Sequence, residues 1–452
     1  MTRKTSINSA LQDRLTLQLQ QDGLLQTGDK VLLAVSGGLD SVVMAHLLHG
    51  LGYATVVAHC NFQLRGADAD GDEAFVKDLA KQLDLPFYST QFDTKGYAKL
   101  HGLSTQMAAR ELRYEWLEGI RKQTGCYYLA TAHHKNDQAE TVLLNIIKGT
   151  GIRGLHGMLP KQGHLLRPLL AFTRTELEEY AQAHNLTWRT DASNADTHYQ
   201  RNFLRHEVLP LLEQVNPAVV NTLAQEASYF KDAAIIYEQG IKHYLKKLVD
   251  NRPSGQHVPI KKLQLYPAQS TLLYEWLSPA GFNEAQVHDI LAVLDSTEVK
   301  QFYSPNYRLI KDRQFLVLTD KAVENDHRVV IEKFSKRVKV PGLELKFHVQ
   351  TATNYHIPTQ PTVAALDADK LQMPLVLRRW QRGDYLYPIG PKRKKKKLSN
   401  LFSNLKLTQL QKEHTWLLCS GEHIVWVVGL KVDDRFKVGA NTKTVTEVSM
   451  SS

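Results

Sequence analysis

The 452-residue chain is long enough for two to four domains with separate cores, and its net charge of +10 favours a polyanionic partner such as nucleic acid. A hydrophobic fraction of 43% is ordinary for a soluble globular protein, and no run approaches the roughly 18 apolar residues of a bilayer span. Three scattered cysteines, Cys60, Cys126 and Cys419, exclude a disulfide framework or a cysteine zinc site and fit a reducing cytoplasm. The first residues are basic with no apolar stretch behind them, so a soluble, cytoplasmic chain with no membrane segment is expected.

In chain order, the first 150 residues alternate strand-like and helix-like segments. Val31–Val35 is a short apolar run, and helical spacing follows over Ser41–Leu48. Thr55–His59 and Pro86–Phe92 read as strands, separated by an apolar-faced helix over Asp70–Leu83. Ser104 suits an N-cap for a helix reaching Lys122; a strand at Tyr127–Ala130 and a helix over Asn136–Lys148 complete the pattern. This alternation predicts an α/β fold, a doubly wound parallel sheet with ligands at the carboxyl ends of its strands. Beyond Asn216 the texture turns helical, and strands return from His327, with a proline-containing connector over Asn354–Pro361. We therefore expect a catalytic domain over 1–215, a small helical domain over 216–325, a linker with strands over 326–361 and a mixed α/β domain over 362–452.

Ser36-Gly37-Gly38-Leu39-Asp40-Ser41 joins the first strand to its helix. Paired glycines let the backbone turn tightly and offer N–H groups to an anion at a helix N-terminus, and Ser41 can add a hydrogen bond. No lysine stands where a kinase-type phosphate loop has one. Asp40 would repel a phosphate unless a cation joins them, so the loop implies Mg²⁺. The plainer alternative is a glycine turn with Asp40 as N-cap.

Further along, Asp137 and Glu140 lie three apart in TAHHKNDQAET, able to bind Mg²⁺ or an ammonium, or simply to complement a helix N-terminus. His133 and His134 beside them lack a third ligand at metal spacing. In AHCNFQLRG, His59 and Asn61 could read an adenine or ribose edge and Arg65 could meet phosphate; ordinary polar loop residues are the alternative. Arg110 and Arg113 share a helix face, with surface salt bridging as the plainer alternative. Arg201 and Arg205, one turn apart beside Asn202, suit phosphate or RNA backbone, or a salt-bridged helix. Gly149-Thr150-Gly151-Ile152-Arg153-Gly154 matches GxGxxG but ends a helix, so a dinucleotide site is rejected there and Gly149 is read as the C′ residue. Lys392, Arg393, Lys394, Lys395, Lys396 and Lys397, with Tyr385, Tyr387 and Phe402 nearby, read as an RNA-backbone contact, with a solvated basic loop as the alternative.

SGGLDS after a strand resembles the pyrophosphate-binding loop of enzymes that split ATP between its α and β phosphates, among them NAD synthetase, GMP synthetase, tRNA thiolases and lysidine synthetase. The order SGGLDS, AHHKNDQAET, GTGIRGLHGM, RPLL at Arg167–Leu170 and DASNADTHYQRNFLR resembles the tRNA(Ile)-lysidine synthase family over about the first 212 residues. RRWQRGDYLYPIGPKRKKKKLSNLFSNLKL is similar to that family's C-terminal domain. The resemblance implies ligation of free L-lysine to C2 of the wobble cytidine of a CAU-anticodon isoleucine tRNA, through an adenylated cytidine, with ATP and Mg²⁺. It implies ATP binding by Ser36, Gly37, Gly38, Leu39, Asp40, Ser41, His59 and Arg65, and metal binding or proton handling by Asp40 and Asp137. Arg113 and Glu140 would orient the lysine; Arg201, Asn202, Arg205 and the 392–397 run would grip tRNA, with a homodimer left open. Two positions depart from the family pattern: Asn136 stands where a paired Asp is frequent, and Phe62 where a second His is frequent. The competing readings are a tRNA cytidine thiolase, which would need a cysteine pair, and a non-catalytic nucleotide-gated RNA-binding protein, which would need neither Asp40 nor Asp137.

Overall fold

A computed structural model describes residues 2–21, 23–26, 28–190, 200–321, 328–333, 337–390 and 394–451, with side chains from residue 11 onward. The chain divides into two compact units, 1–239 and 240–452. Among the described residues no helix is long and apolar enough to cross a membrane.

The first unit runs α1 (Thr2–Gln21), β1 (Lys30–Ala34), α2 (Leu39–Gly50), β2 (Ala54–Asn61), α3 (Ala67–Gln82), β3 (Phe87–Gln91), α4 (Thr94–His101), α5 (Thr105–Gln123), β4 (Tyr128–Ala130) and α6 (Lys135–Lys148). It continues with α7 (Ile152–Leu155), β5 (Lys161–Gln162), β6 (Leu165–Leu166), α8 (Arg174–Ala183), α9 (Gln200–Phe203), a π-helical turn (Leu204–Val208) and α10 (Leu209–Val215). The long α11 (Val219–Leu248) begins in this unit. Strands β3, β2, β1, β4 and β6 lie parallel in that order, with β5 antiparallel on β6. β1 is a continuous apolar run because both its faces are covered. Val31 and Leu33 enter a core with α1, α2 and α8, whereas Leu32 packs with Val56, Ala58 and Leu117 of α5 on the other face. The doubly wound sheet expected from the alternation is present. α1 was not expected; its buried stripe is three leucines, Leu11, Leu15 and Leu19, one helical turn apart.

Strand order matters for the site. From β1 the chain steps outward through β2 and β3, then returns to the far side of β1 with β4. The loops after β1 and β4 therefore diverge, which opens a crevice at the carboxyl ends of these two strands.

The second unit departs from the expected organisation. Within the stretch expected to be helical, a five-stranded antiparallel sheet runs in the order Asp250–Arg252, Gly255–Pro259, Phe315–Asp320, Tyr307–Lys311, Lys300–Tyr303. Its period-2 pattern is masked in the sequence because Arg308 and Lys311 are buried. Arg308 Nη2 pairs with Glu413 at 2.5 Å, and Lys311 Nζ donates to the Ser296 and Glu298 carbonyls. The expected linker over 326–361 likewise supplies core strands. In the strand Leu343–Thr351, residues Glu344 to Thr351 pair with Thr444–Ser451, and Val329–Ile331 pairs with the first three residues of Leu375–Arg379. The two sheets that result share a core containing Leu345, Val448, Leu377, Trp416 and Trp426.

Candidate active site

The turn after β1 is built by the glycines. Gly37 takes φ +92°, and a Cβ there would also meet Phe75 and Val76 of α3 at 3.4 Å. Gly38, not Asp40, is the N-cap of α2, and it provides no side-chain acceptor for the first-turn amides. The turn is braced internally: Ser41 Oγ donates to Gly38 O at 2.9 Å and accepts from Ser36 N at 3.2 Å. The loop is therefore rigid, while the helix N-terminus keeps its partial positive charge available to an anion.

Asp40, in the first turn of α2, has a side chain 25% exposed. Its Oδ1 is buried without a hydrogen-bond partner, while Oδ2 lies 3.7 Å from His134 Nε2 and 3.9 Å from Arg174 Nη1. Burial raises its pKa, against the pull of His134 and Arg174 and with the repulsion of Asp137. A cleft of about 350 Å³ opens in front of this loop, lined also by Phe62, Arg65, Arg113, His133, Arg189 and Arg205.

α6 starts at the end of β4 with a reciprocal cap. His134 Nδ1 accepts from Asp137 N at 3.4 Å, and Asp137 Oδ2 accepts from His134 N at 3.0 Å. One turn on, Glu140 is fully buried and faces two guanidiniums. Arg201 Nε reaches Glu140 Oε2 at 2.7 Å, and Arg205 Nε reaches Oε1 at 2.6 Å. Arg205 Nη2 also donates to Asp137 Oδ1 at 3.0 Å. Burial opposes ionisation of Asp137, but His134, Arg201 and His133 outweigh it and hold its carboxyl below the usual range. His133 shares a 2.9 Å hydrogen bond with Thr131 Oγ1, and burial pushes its pKa down to about 4.

These contacts sort the predicted residues. Ser36, Gly38, Leu39, Asp40, Ser41, Arg65, Arg113 and Arg205 line one cleft, and Gly37 shapes its loop. His59 does not reach it: the ring is buried and donates through Nδ1 to Val35 O at 2.8 Å, a tie between β2 and the end of β1. Asn61 is likewise spent, its Nδ2 donating to Asp70 and Glu73. Arg65 pairs with Asp72 at 2.8 Å. Glu140 has one oxygen hydrogen-bonded to Arg201 Nε and the other to Arg205 Nε. Asp137 accepts from His134 N and from Arg205 Nη2, and its lowered pKa keeps it ionised. Arg201 and Arg205 both pair with Glu140 and Asp137, and Arg205 also lines the cleft. Asn136 accepts the Arg174 backbone N–H at 3.0 Å, so it ties α6 to α8. Phe62 stacks on Phe92 with centroids 5.7 Å apart and lies 5.2 Å beneath the Arg113 guanidinium. Lys392 and Arg393 lie outside the described residues. Lys395 Nζ sits 3.6 Å from the Tyr385 ring, and Lys396–Lys397 pairs with Tyr385–Leu386.

Sequence reasoning missed Arg174 and the segment Trp188–Thr190. Arg189 N donates to Gly37 O at 3.0 Å, which lays that segment against the loop. No local pattern marks it, because the pairing joins residues far apart in the chain.

The donors present suit Mg²⁺ only in part. Among the described residues no group of three His, Cys, Asp or Glu could hold a metal ion. The orphaned, buried Asp40 Oδ1 offers one carboxylate ligand, and a hexacoordinate Mg²⁺ that keeps waters and takes phosphate oxygens needs little more from the protein.

A parallel sheet with a glycine-turned anion cradle at its switch point defines a PP-loop nucleotide-binding protein, and residues 7–212 match the PP-loop domain family. Residues 252–321 match the TilS substrate binding domain, and residues 375–449 the TilS substrate C-terminal domain. The chain is 41% identical to the tRNA(Ile)-lysidine synthase of Parabacteroides distasonis, over 96% of this chain and 98% of that one. It is 38% identical to that of Bacteroides thetaiotaomicron, over 96% and 98%, and 36% identical to that of Porphyromonas gingivalis, over 95% and 96%. The chain belongs to the tRNA(Ile)-lysidine synthase family, as the order of its motifs implies.

Proposed function

We propose that this chain ligates free L-lysine to C2 of the wobble cytidine of a CAU-anticodon isoleucine tRNA, converting ATP to AMP and pyrophosphate. The observation that carries this reading is the braced, uncapped loop Ser36–Ser41 beside an orphaned Asp40 oxygen, in a chain matched along nearly its full length by lysidine synthases. The loop amides hold the β and γ phosphates, which leave as pyrophosphate. Asp40 is the residue that would hold Mg²⁺, which offsets phosphate charge when bound.

Two substitutions at carbon and phosphorus follow. Cytidine O2 attacks the α-phosphorus; the O2–P bond forms, and the bond to the bridging oxygen breaks with its electron pair leaving on pyrophosphate. The lysine side-chain amine, free of its proton, then attacks C2, and the C2–O2 bond breaks with AMP as leaving group. An ordinary lysine amine, with a pKa near about 10.4, must first be deprotonated. Arg113 meets the substrate lysine's carboxylate, a role supported by its position on the α5 wall of the cleft over Phe62. Lys394, Lys395, Lys396 and Lys397 serve tRNA-backbone contact. A sulfur-transfer reading fares worse, because Cys60, which lines the cleft, has its thiol pushed up to about 12 by burial.

The test is incubation with unmodified CAU-anticodon isoleucine tRNA, Mg-ATP and labelled lysine. Lysine-dependent AMP release with label entering the tRNA is expected. Intact tRNA and ATP with no label incorporated overturns the reading.

A further inference from the structure

Glu140 is the most deeply buried carboxylate of the cleft region, with a side chain 0% exposed, and its charge is already answered. Two carboxylates, Asp137 and Glu140, face two guanidiniums, Arg201 and Arg205, at 2.6 to 3.3 Å. A substrate ammonium entering this cluster would meet two cations and find no unpaired oxygen on Glu140. An unpaired buried charge is costly, so the four groups hold one another in place.

Their product is the placement of Arg205. Its Nε donates to Glu140, and its Nη2 donates to Glu140 and Asp137, at 2.6, 3.2 and 3.0 Å. One edge of the planar fork is thereby clamped. Nη1 makes no hydrogen bond among the described residues, and Arg205 lines the cleft that the Ser36–Ser41 loop opens into. Arg174, 3.9 Å from Asp40, lines the same cleft.

We infer that Arg205 contacts the α-phosphate during adenylation of the cytidine, and that Glu140 is a positioning residue that acts through Arg205. This rests on the proposed adenylating function. As O2 attacks, negative charge grows on the non-bridging oxygens of the α-phosphorus. A guanidinium fixed before the reaction stabilises that charge with no reorganisation, and it transfers no proton. Glu140 thus belongs to the first half-reaction, not to lysine capture.

The two half-reactions can be measured apart. With ATP labelled at the α-phosphate and lysine omitted, transfer of label to tRNA reports adenylation alone; lysine dependence of the full reaction reports the second step. Glu140→Gln is expected to slow adenylation about 10- to 100-fold while changing the KM for lysine less than about twofold. Arg205→Ala is expected to show a comparable loss that added guanidinium partly restores, and Glu140→Gln/Arg205→Ala to be little slower than Arg205→Ala alone. Normal adenylation by Glu140→Gln with a raised KM for lysine overturns the inference and makes Glu140 the ammonium site. Should Glu140→Gln fail to fold, wild-type adenylation by Arg205→Ala overturns it equally. Failure of the wild-type protein to adenylate the tRNA would instead sink the proposed function.

Discussion

Asp40 sets stability against use. Burial raises its pKa, so the unfolded chain releases this proton at a lower pH than the folded one. Stability therefore falls as pH rises above the ordinary carboxylate range. Asp40→Asn should raise Tm at pH 7 in the absence of ATP and Mg²⁺, as a thermal melt would show, while cutting adenylation by at least about 100-fold. His133 works in the opposite sense. Its pKa of about 4 lies below the ordinary 6.5, so the unfolded chain binds the proton first as pH falls. The stability present above pH 6.5 is lost as pH drops toward 4, by up to roughly 3 kcal/mol. His133→Gln should lose less stability than wild type between pH 7 and pH 4.5, read from urea midpoints. At this scale the sequence conveyed what backbone chemistry dictates: two glycines, a serine and a lone carboxylate at a helix start. It did not convey partners. Arg201 and Arg205 look alike as free guanidiniums until Glu140, far earlier in the chain, is set against them.

Helix ends were legible where the signal is local. Ser104 caps α5 by accepting from Met107 N at 3.2 Å, and Gly149 closes α6 in the left-handed region at φ +70°. Nothing lies within 4 Å of a Cβ built on Gly149, so Gly149→Ala should cost only the backbone strain, about 1 kcal/mol in ΔG of unfolding. A chemical denaturation curve with an unchanged m-value would show it. The same glycine shows why GxGxxG here is no dinucleotide fingerprint: it follows a helix and leads only into the four-residue α7. The strands between 250 and 320 were not legible, because periodicity reports side-chain polarity. A buried Lys311 satisfied by carbonyls and a buried Arg308 satisfied by Glu413 look like surface residues to such a pattern.

At the scale of the whole molecule, the two units divide by charge environment. The first pairs Arg201 and Arg205 with the buried Glu140 beside the cleft; the second presents Lys394–Lys397 beside Tyr385, with Lys394, Lys395 and Lys397 exposed and Lys396 partly buried. If the 394–397 run binds tRNA phosphates, Lys394→Gln/Lys395→Gln should weaken tRNA binding. The plot of log affinity against log salt should also flatten, by about 0.7 to 0.9 for each phosphate that the protein no longer neutralises. Filter binding between low and moderate salt measures this, and an unchanged slope would remove these lysines from the interface. The sequence by itself determined the parallel α/β class, the glycine turn after the first strand and the family, because strand burial, glycine turns and motif order are written in neighbouring residues. Only the tertiary structure decided which charges remain open to a substrate. An ion pair depends on approach within a few ångströms, and folding brings together carboxylates and guanidiniums that the chain keeps far apart.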